Sequence, residues 1–131
     1  MGPKNPKNIL IVEDNSANLQ LAAFLLKTGG FAIGSATNGA EAVEAVKTGK
    51  YDLILMDVEM PGMDGLTATQ FIKANSAFAH IPIIALTAYA MKGDKERCLA
   101  AGCSGYITKP IDTREFVRTV SAFLNPDPGP T

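Results

Sequence analysis

Apolar residues in this chain gather into five short runs, and between and after the runs they recur at three- and four-residue intervals. The runs are Asn8–Glu13 (NILIVE), Phe31–Ala36 (FAIGSA), Asp52–Asp57 (DLILMD), Pro82–Ala88 (PIIALTA) and Gly105–Lys109 (GYITK). Each has strand length, and most are rich in the β-branched residues that suit a pleated surface. The longer segments read as helices. The last is the clearest, with Phe116, Val120 and Phe123 on one face and Val117 and Leu124 beside it. Asn38 with Glu41 and Asp112 with Glu115 resemble capping boxes, and Gly29-Gly30 and Gly49 stand where helices stop. Strand and helix in regular alternation predict right-handed crossovers, hence an α/β fold: a doubly wound, parallel, five-stranded sheet with helices on both faces. The near-continuous apolar runs Ile9–Val12 and Ile83–Leu86 fit strands covered on both sides.

In such a sheet the ligand crevice lies at the carboxyl ends of the strands, beside the point where strand order reverses. The predicted strands end in Glu13-Asp14, Asp57, Thr87-Ala88 and Lys109-Pro110. Taken singly, each has an ordinary role: a cap, a turn, a strand end, a solvated amine. Together they bring three carboxylates, a hydroxyl and an ammonium to one edge. At ~5 Å and an effective dielectric of ~20, two carboxylates repel by roughly 3 kcal/mol before screening. A divalent cation relieves that repulsion, and an oxygen-only donor set favours Mg²⁺ or Mn²⁺ over zinc or copper. Mg²⁺ commonly completes its shell with phosphate oxygens, so the edge reads as a phosphoryl site. One carboxylate can serve as nucleophile, with Lys109 and the Thr87 hydroxyl facing the transferred oxygens.

Composition narrows the setting. The 131 residues fit one domain, and 47% apolar with 19% charged residues argues against disorder. A net charge of −1 without a basic cluster excludes a nucleic-acid backbone or an anionic membrane as the expected partner. No segment approaches the ~20 apolar residues of a membrane span. The start MGPKNPKN lacks the apolar core of a signal peptide, and Pro3 and Pro6 spoil a myristoylation pattern, so the expected location is cytoplasmic. Cys98 and Cys103, with no second pair or neighbouring His, read as reduced structural thiols. The expected organisation is a domain over residues 8–124, flanked by flexible segments 1–7 and 125–131.

Four ordered motifs, LIVEDN (Leu10–Asn15), LILMDVEMPGMDG (Leu53–Gly65), IIALTAYA (Ile83–Ala90) and GYITKPI (Gly105–Ile111), resemble the response-regulator receiver domain of two-component signalling. The stretch TAYAMKGD (Thr87–Asp94) is further similar to single-domain cell-cycle regulators and to receivers of hybrid histidine kinases. The resemblance implies a flavodoxin-like (βα)5 fold with strand order 2-1-3-4-5. It implies Asp57 as phosphoacceptor, Asp14 as a direct metal ligand, Glu13 as a ligand through water and Glu59 as a ligand through its backbone carbonyl. Thr87, the Ala88 amide and Lys109 would hold the phosphoryl oxygens, and Thr87 with Tyr106 would form the switch. Mg²⁺ is the implied cofactor, with Mn²⁺ as a substitute. A histidine kinase or histidine phosphotransfer protein is the implied phosphodonor. The implied target binds the face made by the helix after Thr87, the strand carrying Tyr106 and the last helix. Lys109-Pro110 is often cis in this family. The side chains of Glu59 and Tyr89 stand at variable positions, and their effect on dephosphorylation is left open.

Three other readings are weaker. An Asp-nucleophile phosphatase would need a cap or substrate domain, and Asp57-Val-Glu59 lacks the second Asp of a DxD pair. A phosphorylation-independent adaptor would not need the acidic triad. A flavin binder would need a Gly- and hydroxyl-rich loop where Asp14–Ala17 reads DNSA. The expected function is therefore a phosphoryl-accepting switch and not a free-standing enzyme, its chemistry limited to Mg²⁺-dependent self-phosphorylation and autodephosphorylation.

Overall fold

The computed structural model describes residues 6–60, 64–88 and 92–124. Most of both expected flanks, Pro61, Gly62 and Tyr89 lie outside them. Strand and helix alternate as β1 (Asn8–Val12), α1 (Ser16–Thr28), β2 (Ala32–Ala36), α2 (Gly39–Thr48), β3 (Leu53–Asp57), α3 (Gly65–Ala74), β4 (Ile83–Thr87), α4 (Lys92–Ala101), β5 (Gly105–Thr108) and α5 (Phe116–Leu124). The strands form one parallel sheet in the order β2-β1-β3-β4-β5. The flavodoxin-like order expected from the sequence is therefore present, and each strand is a residue or two shorter than its apolar run.

Side-chain alternation along the strands divides the core in two. Ile9, Ile11, Leu53, Leu55, Ile84 and Leu86 point to the face covered by α1 and α5, where they meet Ala22, Leu26, Phe116 and Val120. Leu10, Val12, Ile54, Met56, Ile83 and Ala85 point the other way, against Ala42 and Val46 of α2, Ala68 and Ile72 of α3, and Cys98 of α4. Strands covered on both faces have no use for a polar alternate, which is why they read as unbroken apolar runs. Among the described residues no helix is long and apolar enough to cross a membrane. Cys98 and Cys103 are free and buried, as the sequence suggested.

Helix ends follow the predicted chemistry with one exception. Asn38 Oδ1 accepts from the Glu41 amide at 2.8 Å, and Glu41 reaches back one residue further than in a standard box, to the Thr37 amide and hydroxyl. Gly30 and Gly102 take left-handed φ values of 96° and 112°, and each closes a helix by the paired bonds of a Schellman motif: Gly30 and Phe31 donate to Lys27 and Leu26, Gly102 and Cys103 to Leu99 and Cys98. At Asp112–Glu115 the expected box is replaced by a single cap on the turn that leads into α5: Asp112 Oδ1 accepts from the Arg114 amide at 3.0 Å and its carbonyl from the Phe116 amide at 2.9 Å, and α5 proper begins at Phe116.

Gly65 opens α3 beneath the end of β3. A Cβ placed on it would stand 2.1 Å from the Asp57 carbonyl oxygen, a separation that only backbone movement can relieve. Gly65→Ala should therefore lower stability by about 1–3 kcal/mol in urea unfolding. Gly93→Ala, where a Cβ meets nothing within 4 Å, should be neutral or slightly stabilising. Equal stability of the two variants would show that the approach of α3 to β3 is slack.

Candidate functional site

β1 has β2 on one side and β3 on the other, so strand order reverses there and the crevice opens over the carboxyl ends of β1 and β3. The register pairs Val12 with Met56, and Asp57 with Leu86, so the residues at the ends of β1, β3 and β4 lie on one edge. Asp57 is the last residue of β3 and 1% exposed, and Glu13, just past β1, is 2% exposed. Lys109 follows β5 and donates its backbone amide to Thr87 at 2.8 Å. From there its ammonium reaches Glu13 Oε1 at 2.9 Å and Asp57 Oδ1 at 3.0 Å. The Lys109-Pro110 bond is cis.

The carboxylates have further partners. Glu13 Oε2 accepts from the Asn15 amide at 3.3 Å, and Asp57 Oδ1 accepts from the Glu59 amide at 3.1 Å. Asp14 is exposed at the mouth, yet Glu13, Asp14 and Asp57 each bring a carboxylate oxygen within 4.8 Å of the others. Burial, then hydrogen bonding to Glu13, pushes the Asp57 carboxyl up to about 7 against the pull of Lys109. Burial also pushes Glu13 up, but hydrogen bonds from Asp57, Lys109 and the Asn15 amide outweigh it and hold Glu13 below its usual value. Burial pulls Lys109 down, and its bonds to Glu13 and Asp57 outweigh that and raise it. Two buried acids thus share one ammonium, and the raised Asp57 carboxyl marks the charge that Lys109 leaves unbalanced. Three carboxylates so crowded, without His or Cys, suit a hard divalent cation.

The remaining sequence candidates divide. Thr87 ends β4, buried, with Ala88 exposed just beyond it on the same edge. Tyr106 lies in β5 opposite Ala85, half-buried against the α2–α3–α4 core, with the Lys95 ammonium 5.0 Å above its ring. The Glu59 side chain is the feature that sequence reasoning left open: its Oε1 accepts from the Ala88 amide at 3.0 Å. Asp64, not singled out in the sequence, caps α3 by accepting from the Thr67 amide at 2.8 Å. An Asp directly before the helical Gly65-Leu66-Thr67 was the available signal.

Known proteins resemble this arrangement closely. A family profile of the response regulator receiver domain matches residues 9–121. The polar-differentiation response regulator DivK of Brucella anthropi is 42% identical over 119 residues, which cover 91% of this chain and 97% of that protein. The receiver domain of a sensor histidine kinase from Pseudomonas aeruginosa PAO1, solved with a magnesium ion coordinated in its active-site cleft, superposes with a TM-score of 0.84 at 38% identity, covering 92% of this chain and 98% of that one. The chemotaxis protein CheY4 of Vibrio cholerae superposes with a TM-score of 0.85 at 26% identity, over 89% and 98% of the two chains.

A cation that binds only the folded cluster adds stability by mass action, ~2.7 kcal/mol at a hundred times its dissociation constant. Magnesium chloride should therefore raise the melting temperature. Asp14→Asn, which removes the exposed carboxylate without opening the core, should show a smaller rise. The same rise in both proteins would mean that the cation binds elsewhere.

Proposed function

The chain belongs to the response regulator receiver family, and from that premise we propose that it accepts a phosphoryl group on Asp57 and answers by changing a protein-binding face. The observation that carries this reading is the Asp57 carboxylate itself, buried at the end of β3 and held at 3.0 Å by Lys109 beside Glu13 and Asp14. Receivers of this family take phosphoryl groups from histidine kinases or phosphotransfer proteins, and we assign such a donor to this chain. A carboxylate oxygen of Asp57 attacks phosphorus in line as the P–N bond of the donor's phosphohistidine breaks, and the histidine, protonated at its other ring nitrogen, departs as neutral imidazole. The product is an acyl phosphate. Lys109, freed from part of its pairing with Asp57, turns its charge to the transferred oxygens, and Thr87 and the Ala88 amide donate to them.

Mg²⁺, with Mn²⁺ as a substitute, would be held by Asp14, Asp57, the Glu59 carbonyl and, through water, Glu13. When bound it supplies neutralisation of the charge on the transferred oxygens. The acting unit is the domain over residues 8–124, in a cytoplasmic setting. The resident chemistry is limited to phosphoryl uptake and slow self-hydrolysis.

Output is assigned to the α4–β5–α5 face. Thr87 ends β4, and Tyr106 sits in β5 beside it. A hydroxyl drawn toward phosphate leaves space into which the Tyr106 ring can turn, breaking its stacking with Lys95. Moving a population from 1:99 to 99:1 takes ~5.5 kcal/mol, and charge-assisted bonds to a new dianion are a source of that size.

With acetyl phosphate and Mg²⁺, the parent should gain one phosphoryl mass that Asp57→Asn does not. Full incorporation in that variant would overturn the assignment. Phosphorylation should also shift amide resonances across α4, β5 and α5. Thr87→Ala should accept phosphate with those shifts largely lost, and Tyr106→Ala should lose them with less effect on uptake. Unchanged shifts in both phosphorylated variants would send the signal through another face.

A further inference from the structure

Glu59 is clasped at both ends across the site. Its amide donates to Asp57 Oδ1 at 3.1 Å, and its Oε1 accepts from the Ala88 amide at 3.0 Å, so a single residue links the end of β3 to the end of β4. The Ala88 amide is one of the donors assigned above to a phosphoryl oxygen. A carboxylate oxygen is a fair imitation of that ligand: anionic and able to make a charge-assisted bond of the same kind. We propose, resting on the phosphoacceptor reading, that the Glu59 carboxylate is a tethered occupant of the phosphoryl-oxygen position. It holds the Ala88 amide while Asp57 is unmodified and must be displaced for the phosphoryl group to be bound.

Two consequences follow from the chemistry. Incoming phosphate competes with an acceptor already in place, and it meets an added negative charge at the mouth, so both the bond and the charge of Glu59 oppose binding. Displacement is feasible because Glu59 is exposed and borders a cleft of about 310 Å³ between β3, β4 and α4, whose wall also carries Asp64, Leu66, Thr87 and Arg97. The displaced carboxylate has room there, near Arg97, which is itself paired with Asp94 at 3.4 Å. Glu59 is thus a positioning residue. It touches neither phosphorus nor the departing group, and it acts through the donor that it occupies.

The test uses the intact chain and beryllofluoride with Mg²⁺ as a phosphoryl mimic, because binding of the mimic needs no turnover. Glu59→Ala should bind it about tenfold more tightly than the parent, the size expected for release of one hydrogen bond to a charged acceptor. Glu59→Gln, which retains an acceptor and drops the charge, should fall between them. In amide spectra recorded without Mg²⁺ or mimic, the Ala88 resonance should move in Glu59→Ala more than resonances of the core strands, a selective change that general loosening would not give. Equal affinity in parent and Glu59→Ala overturns the proposal, as does an unmoved Ala88 resonance. If neither protein, nor Glu59→Gln, bound the mimic at all, the phosphoacceptor reading would be at fault, while the ligand-free Ala88 resonance would still report whether Glu59 holds that amide.

Discussion

The structure turns on one ammonium shared between two buried carboxylates. Lys109 meets Glu13 at 2.9 Å and Asp57 at 3.0 Å, at the point where three strands from separate parts of the chain end together. Burying two acids beside each other is costly unless a cation and hydrogen-bond donors meet them. One lysine with the Asn15 and Glu59 amides meets that demand in part, which is why the Asp57 carboxyl stands near 7. A site that is under-compensated at rest gains from a divalent cation, and under the proposed function the partly neutralised Asp57 carboxylate is the nucleophile.

The scaffold makes this arrangement rigid. Strands covered on both faces by apolar helices fix the heights at which β1, β3 and β4 end, and Gly65 lets α3 begin directly under Asp57. The elements around α4 are built differently. Among the described side chains of α4 only Cys98 and Ala101 are buried, and Tyr106 beside it is only half-buried under Lys95. Few buried contacts make a segment inexpensive to reposition. A firmly held site beside a loosely held face is the arrangement that the proposed switch would need.

Much of this was legible in the sequence, for identifiable reasons. Short, near-continuous apolar runs gave the strands, and the charges that close three of them gave Glu13 with Asp14, Asp57 and Lys109, because a charged residue closing a core strand stands out locally. The order β2-β1-β3-β4-β5 came from the family resemblance, since alternation alone specifies a parallel sheet and not its sequence of neighbours. The Asp112–Glu115 pattern misled because an Asp with a Glu three residues on also suits an Asx-type turn ahead of a helix. The Glu59–Ala88 contact was illegible: it joins two loops 29 residues apart, and neither has a pattern that refers to the other.

The central claim is that Lys109 holds Glu13 and Asp57 together as one charge system, and unfolding in urea without divalent cations tests it most directly. Lys109→Met keeps the stem and strands both carboxylates, and it should cost about 3 kcal/mol. Adding Asp57→Asn removes one stranded charge and should return about 1 kcal/mol or more, a non-additivity expected only of groups in direct contact. A Lys109→Met protein as stable as the parent, or a double variant no better than the single one, would contradict the account.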